Sequence, residues 1–394
     1  MSLNISAPIG VLAPLLVRAK GIADPRAANP LLGCVLLNAD HDGVLTVSAT
    51  GGSLALTQRV ALGTAGNGGG VSDTGSAAVD AARLALVVGG LSGDTVALRL
   101  TGKTGKGIVE VKAGGSRYSL SAAEADDYPP IGGEIPAVAR AVADVSTTIR
   151  GGDLARMLRE TLFSVCTDEN RYGLNGLLIE AAPAGDDGMP RLRIVSTDGS
   201  RLSWSEGPAS EAVTLDGRKS LISRAFAAKL EGLISGAEQE WTLTIGQRWI
   251  SARCGDVELG GVLVEGEFPD YRMIMPAAPK RIATVNGPVL AGALKRASLM
   301  ASERNSSVRI AFAEGGLTVS AQDVKAGSVV EELAGELQGS PLSTGFNASY
   351  LLNVLSSTRA ESVRLELGEP LEPVIVRVDG REDAVFVVMP MRLD

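Results

Sequence analysis

A chain with one histidine has few routes to acid–base chemistry, and here that residue is His41. It stands in Asn38-Ala-Asp-His-Asp-Gly43, where the Asp and Gly residues predict a tight turn between strands and an imidazole in solvent. A Ser-His-Asp or Cys-His site would need that histidine, and no flanking motif supports one. Gly102-Lys103-Thr104 copies the end of a phosphate loop, G-x-x-x-x-G-K-[ST], but the first glycine position is Ala97. The segment also lies between strands rather than ahead of a helix. Cys34, Cys166 and Cys254 lack CxxC spacing, which excludes a Cys-rich zinc site and a disulfide framework. The carboxylate pairs Glu331-Glu332 and Asp186-Asp187 sit in polar stretches with no accompanying acid, base or metal-ligand pattern. No enzyme, cofactor or metal is expected.

The elements therefore have a surface to position rather than a reaction. At 394 residues the chain suggests two to four domains. With 45% hydrophobic but only 4% aromatic residues, its cores must be built from Val, Leu, Ile and Ala, and 48 glycines imply many turns between short strands. The formal charge of −8 argues against gripping nucleic acid with the whole surface. Met1-Ser-Leu-Asn4 lacks a basic leader, and no apolar run approaches the roughly 18 residues of a membrane span. A soluble protein of the reducing cytoplasm is expected.

The chain repeats itself three times. Helical starts recur at Leu12-Ala13-Pro14-Leu15-Leu16, Leu154-Ala155-Arg156-Met157-Leu158 and Leu290-Ala291-Gly292-Ala293-Leu294. Strands recur at Leu45-Thr-Val-Ser-Ala-Thr50, Leu192-Arg-Ile-Val-Ser-Thr197 and Leu317-Thr-Val-Ser-Ala-Gln322. A second helix follows at Asp80–Leu91, Ser223–Ile234 and Asn347–Leu355, each running into an alternating strand such as Thr95–Leu100. The period of about 130 residues exceeds that of a solenoid, so these are three similar α+β domains. The pattern resets at Pro129-Pro130-Ile-Gly-Gly-Glu-Ile-Pro136 and near Met275-Pro276-Ala-Ala-Pro279, giving boundaries 1–136, 137–276 and 277–394. Residues 61–76 read as a flexible low-complexity loop.

Charge follows the helices. Six predicted helices (10–20, 80–89, 153–165, 223–234, 288–300, 347–359) carry ten Lys/Arg against four Asp/Glu, leaving −14 for the rest of the chain. Asp80 and Asp153 are expected as N-caps. Basic helices on an otherwise acidic protein make a sided field. The C-terminal stretch combines a β-branched run, Ala384-Val385-Phe386-Val387-Val388, with Met389-Pro390-Met391-Arg392. Pro390 ends the strand ladder because it has no N–H, and two methionines offer adaptable apolar surface for a peptide. The alternative is a strand packed only for stability.

The triplicate architecture, Arg171-Tyr-Gly-Leu-Asn-Gly-Leu-Leu-Ile-Glu180, Ser196-Thr-Asp-Gly-Ser-Arg-Leu202, Glu267-Phe-Pro-Asp-Tyr-Arg272, Gly345-Phe-Asn-Ala-Ser-Tyr350 and Val387-Val-Met-Pro-Met-Arg-Leu393 resemble the bacterial sliding clamps, the β subunits of DNA polymerase III. The resemblance spans essentially the whole chain and is weakest in the first repeat. It implies a head-to-tail homodimer forming a six-domain ring, helices inside and sheets outside. Duplex DNA would be encircled without sequence preference, and the polymerase catalytic subunit, the clamp loader and other carriers of linear motifs would be tethered. It implies a partner-peptide groove of Leu174, Thr197, Gly199, Arg201, Leu202, Pro269, Met273, Ile274, Asn347, Tyr350, Val387, Val388, Met389, Pro390, Met391 and Arg392. DNA would face Arg18, Lys20, Arg26, Arg83, Arg224, Lys295, Arg296 and Arg304. Arg117 and Tyr118 would meet Leu299, Met300 and the carboxylate of Glu331 or Glu332 across the dimer interface. Many relatives carry a basic residue at Met273 and a histidine at Ser200, so motif preference is expected to differ. A paralogous clamp conferring resistance to a clamp-directed inhibitor, and a repeat-built hydrolase or carbohydrate-binding protein, are the alternatives.

Overall fold

A computed structural model describes residues 3–64, 69–103, 106–130, 145–168, 170–185, 188–210, 220–275, 278–301, 306–323 and 327–392. Among them each repeat runs strand–helix–four strands–helix–three strands, with one added short strand, Gly70–Asp73, in the first. The helices are α1 (Ile9–Lys20), α2 (Ala81–Gly89), α3 (Gly151–Leu162), α4 (Arg224–Leu233), α5 (Gly287–Ser298) and α6 (Ala348–Thr358). Side chains cap four of them: Asp80 accepts the Arg83 N–H, Ser223 that of Phe226, Asn286 that of Val289 and Asn347 that of Ser349. Asp153 is not a cap. The helix starts two residues earlier than expected, at Gly151, and Asp153 lies in its first turn, paired with Arg150 at 3.0 Å. Two glycines open α3 because it starts against a neighbour: the Gly152 N–H donates to the Ala237 carbonyl at 2.8 Å, and a Cβ there would sit 3.2 Å from Ala237.

The chain divides into two compact units, and they do not follow the repeats. One holds residues 1–148 and 239–263, the other 149–238 and 264–394. In the first, Val257–Val262 of the middle repeat pairs antiparallel with Leu54–Ala61, Leu259 opposite Leu56. In the second, Arg201–Pro208 pairs antiparallel with Ala384–Val388, Leu202 opposite Val387. The sheets of successive repeats thus merge at two seams. Beneath α5 and α6, Val308, Ile310, Phe346, Val363, Leu365 and Phe386 form a core in which alternate strand residues point inward.

The second seam also carries buried charge. Glu160 on α3 is 1% exposed and accepts from Arg156 at 3.3 Å, Arg381 at 2.9 Å and Ser205 at 2.6 Å. Arg156 also donates to the Glu206 carbonyl and pairs with Asp383, joining α3 to both seam strands. Burial alone would lower the Arg381 pKa, but hydrogen bonds to Glu160 and Asp383 outweigh it and the pKa is raised. Arg156 and Glu160, counted above with the helix charge, therefore do not belong to a solvated basic face.

Candidate partner-binding groove and helix face

Strand alternation builds the groove. Ala384, Phe386 and Val388 point into the core of the third repeat, while Val385 and Val387 point to the opposite face. Val387 lies opposite Leu202 on one neighbouring strand and Ile375 on the other, so the three form a continuous apolar row. Over this row opens a cavity of about 510 Å³, lined also by Thr197, Gly199, Arg201, Met273, Ile274 and Met389. Met273 is 83% exposed, which leaves a flexible apolar side chain at the rim.

The turn between Arg191–Thr197 and Arg201–Pro208 holds the polar corner. Asp198 accepts the backbone N–H groups of Ser200 (2.9 Å) and Arg201 (3.0 Å) and pairs with the Arg201 Nε at 2.8 Å. Gly199 sits at φ +90°, where a side chain would be strained and would also meet the Arg171 guanidinium. The Arg201 guanidinium stacks 4.6 Å from the Tyr350 ring, and its buried Nη1 has no hydrogen-bond partner among the described residues.

The C-terminal stretch is fastened on either side of the proline. The Met389 N–H donates to the Ser200 carbonyl and the Met391 N–H to the Gly345 carbonyl, both at 2.9 Å, while Pro390 between them donates nothing. The chain thereby leaves one ladder and touches another strand, Leu342–Asn347, at Gly345.

Half of the expected groove residues line the cavity. Leu174, Pro269, Asn347, Tyr350, Val388, Pro390, Met391 and Arg392 do not. Val388 is a correction, since its side chain is buried in the core on the other face. Asn347 is occupied as the α6 cap, its carboxamide oxygen also accepting from the Ser349 hydroxyl at 2.6 Å. Sequence reasoning missed the wall made by Pro279, Lys280, Glu366, Gly368, Glu372 and Ile375. The turn signal in Gly368-Glu-Pro-Leu-Glu-Pro373, next to the Val374–Val378 strand, could have drawn attention to it.

The 3-10 turn Tyr271–Ile274 carries Met273 and Ile274, and a buried network holds it to the sheet. The Tyr271 hydroxyl donates to Glu180 at 2.5 Å and accepts from Arg193 at 2.7 Å, and Arg193 pairs with Glu206. Burial, seconded by Glu180, pushes the Tyr271 pKa up to about 12. Because the folded state holds this proton more tightly, its contribution to stability is intact below the ordinary tyrosine value near 10 and fades by about pH 12. In an alkaline titration the far-ultraviolet signal should therefore weaken across that window, and Tyr271→Phe should remove part of the loss.

The helices present the expected cations unevenly. Arg18 and Lys20 fill the last turn of α1 and Lys295 and Arg296 that of α5, where the helix dipole favours them. Lys20, Arg26, Arg224 and Lys295 are exposed, Arg18 half-buried. Arg83 lies 4.0 Å from Asp80. Arg296 is engaged by both oxygens of Glu331, at 2.7 and 2.5 Å, so Glu331 is held by its own chain and Glu332 is the exposed carboxylate of the pair. Arg304 lies outside the described residues. Arg159 was not among the expected residues; with Arg224, Leu162 and Phe163 it lines a cleft of about 630 Å³ between α3 and α4.

Besides the end strands of each sheet, two strands among the described residues leave a long stretch of one edge unpaired. Ser116–Ala123 is paired along one side but on the other only at Ala122 and Ala123. Gly327–Ala334 is paired only with Gly316–Asp323, the second partner beginning at Gly335. Tyr118 and Arg117 are exposed on the first strand; Val330 is exposed on the second, and Leu299, after α5, is 74% exposed.

Three family models match the chain in order: the DNA polymerase III beta subunit N-terminal domain over residues 5–132, the central domain over 148–270 and the C-terminal domain over 272–392. The beta sliding clamp of Escherichia coli K12 is 30% identical over 384 residues, 97% of this chain and 98% of that protein. The clamp of Caulobacter vibrioides is 31% identical over 285 residues, 72% of this chain and 73% of that one. The crystal structure of a Pseudomonas aeruginosa sliding clamp bound to griselimycin superposes with a TM-score of 0.87 at 28% identity, covering 100% of both chains. With all three domains matched in sequence and the whole chain matched in fold, the protein belongs to the DNA polymerase III beta subunit family, the bacterial sliding clamps.

Proposed function

We propose that this chain closes as a head-to-tail homodimer around duplex DNA and tethers the polymerase III catalytic subunit, the clamp loader and other carriers of clamp-binding motifs. It does so in the cytoplasm, without chemistry or cofactor of its own. The observation that carries the reading is the apolar cavity over Leu202, Ile375 and Val387, closed by Met389 and cornered by Arg201, in a chain that all three clamp domain models match. Such a cavity accepts an apolar anchor of a short peptide, and Arg201 fixes a polar group beside it. The domains we assign are 1–136, 137–276 and 277–394.

The open strand edges support the dimer. An unpaired ladder is a liability that pairing with a second chain removes, and Arg117 and Tyr118 on one edge suit Leu299, Met300 and Glu332 near the other. Light scattering at micromolar concentration should report twice the 40.5 kDa chain mass. Val330→Asp should shift it toward monomer.

DNA contact is electrostatic and diffuse, through Arg18, Lys20, Arg26, Arg83, Arg224, Lys295, Arg296 and Arg304, and we add Arg159 from the cleft. Loaded rings should stay on closed circular DNA in salt that abolishes direct binding, and should be lost on linearisation. Equal loss from circles and linear DNA would overturn encirclement.

A further inference from the structure

The cavity wall carries one charge that peptide capture as described does not use. Four ionisable side chains line the cavity, and three are already neutralised: Arg201 by Asp198 at 2.8 Å, Lys280 by Glu369 at 3.0 Å and Glu366 by Arg377 at 2.8 Å. Glu372 is the fourth, and it has no ion-pair partner among the described residues. Its position is built rather than incidental. Oε2 accepts the Glu369 N–H at 2.8 Å, and the side chain folds over Gly368, where a Cβ would lie 2.1 Å from that oxygen. Only a glycine at 368 leaves the carboxylate in this place. Its other oxygen takes part in no hydrogen bond among the described residues, and the side chain is exposed at the cavity mouth. The nearby Lys280 is held by Glu369 and also attracted by Glu372, and Arg281 donates to the Gly368 carbonyl at 2.6 Å. Glu372 thus stands apart not by a net charge of this end but by lining the cavity over an apolar floor with no ion pair of its own.

We propose that Glu372 is a specificity determinant of the groove, favouring partner segments that carry Lys or Arg next to their apolar anchor. The proposal rests on reading the cavity as a peptide site. An exposed carboxylate acting on one cation gives a modest, salt-screened preference, about threefold to fivefold at low ionic strength. It would rank partners that share the same anchor rather than decide whether they bind.

Fluorescence anisotropy on the full-length dimer would test it, using pentapeptides with a Leu-Phe anchor and Lys, Gln or Glu at one flank or the other. On at least one flank the Lys peptide should bind about threefold to fivefold more tightly than its Glu twin, with the ratio closing in 0.5 M salt. Glu372→Gln keeps an oxygen for the Glu369 N–H and should bring the ratio close to one, and Glu372→Lys should invert it. A Lys-to-Glu ratio that survives both substitutions, or that never exceeds one, overturns the assignment. Failure of the wild-type protein to bind even the Gln peptides would instead overturn the peptide-groove reading itself.

Discussion

Truncation after Val388 is expected to lower affinity for a clamp-binding peptide at least about a hundredfold, equivalent to ~2.7 kcal/mol, while leaving the fold intact. Met389 is the last residue of the chain that lines the cavity, and the two backbone bonds beyond Val388 hold the stretch in place. The five residues of Ala384–Val388 stay buried in the truncated chain, so the seam with Arg201–Pro208 survives. Losing two partly exposed backbone bonds costs about 0.5–1.5 kcal/mol each, a shift of a few degrees in Tm. Within the stretch, Met389→Ala should cost more binding than Met391→Ala, because only the former side chain lines the cavity. Anisotropy and thermal melts on the same preparations decide the matter. Unchanged affinity with a large fall in Tm would mean that the C-terminal stretch is only a structural strap.

Glu160→Ala should be strongly destabilising while sparing the groove. It leaves the Arg156 and Arg381 guanidinium groups half-buried with their shared carboxylate gone, and the Ser205 hydroxyl without its acceptor. Removing one member of a buried ion network costs about 3–5 kcal/mol, which lowers Tm by roughly 10 °C in a body of this size. Glu160→Gln keeps the hydrogen-bonding shape and should lose less. Calorimetry showing a Tm within 2 °C of wild type for the alanine variant would show that Asp153 and Asp383 already neutralise the two arginines.

Much of this was legible before any coordinates. The three-fold repeat, the alternation of Ala384–Val388 and the stop at Pro390 are local patterns, and a local pattern survives in a linear string. What stayed hidden depends on partners distant in sequence. Alternation says that Val387 is buried; only the pairing says that its neighbours are Leu202 and Ile375. Arg156 and Glu160 look like a helical surface pair, four residues apart, until Arg381 closes over them from 221 residues away. Glu331 looks available to a partner chain until Arg296 takes both its oxygens. Asp153 differs from its expected role for another reason. Its acidic side chain suits a helix start, but a packing contact at Gly152 moved the start.

The two seams bear on how such chains can be recombined. A piece cut at the domain bounds we propose, 137–276, would lose the partners of Arg201–Pro208 and Val257–Val262 together, leaving two unpaired strand edges and Leu202 without Val387 opposite it. Crossovers with a related clamp made after residues 148, 238 and 263 exchange whole compact units and keep both seams within one parent. In this chain the compact unit is not the unit that repeats, and a hybrid cut by homology of domains would part strands that pair across the repeats.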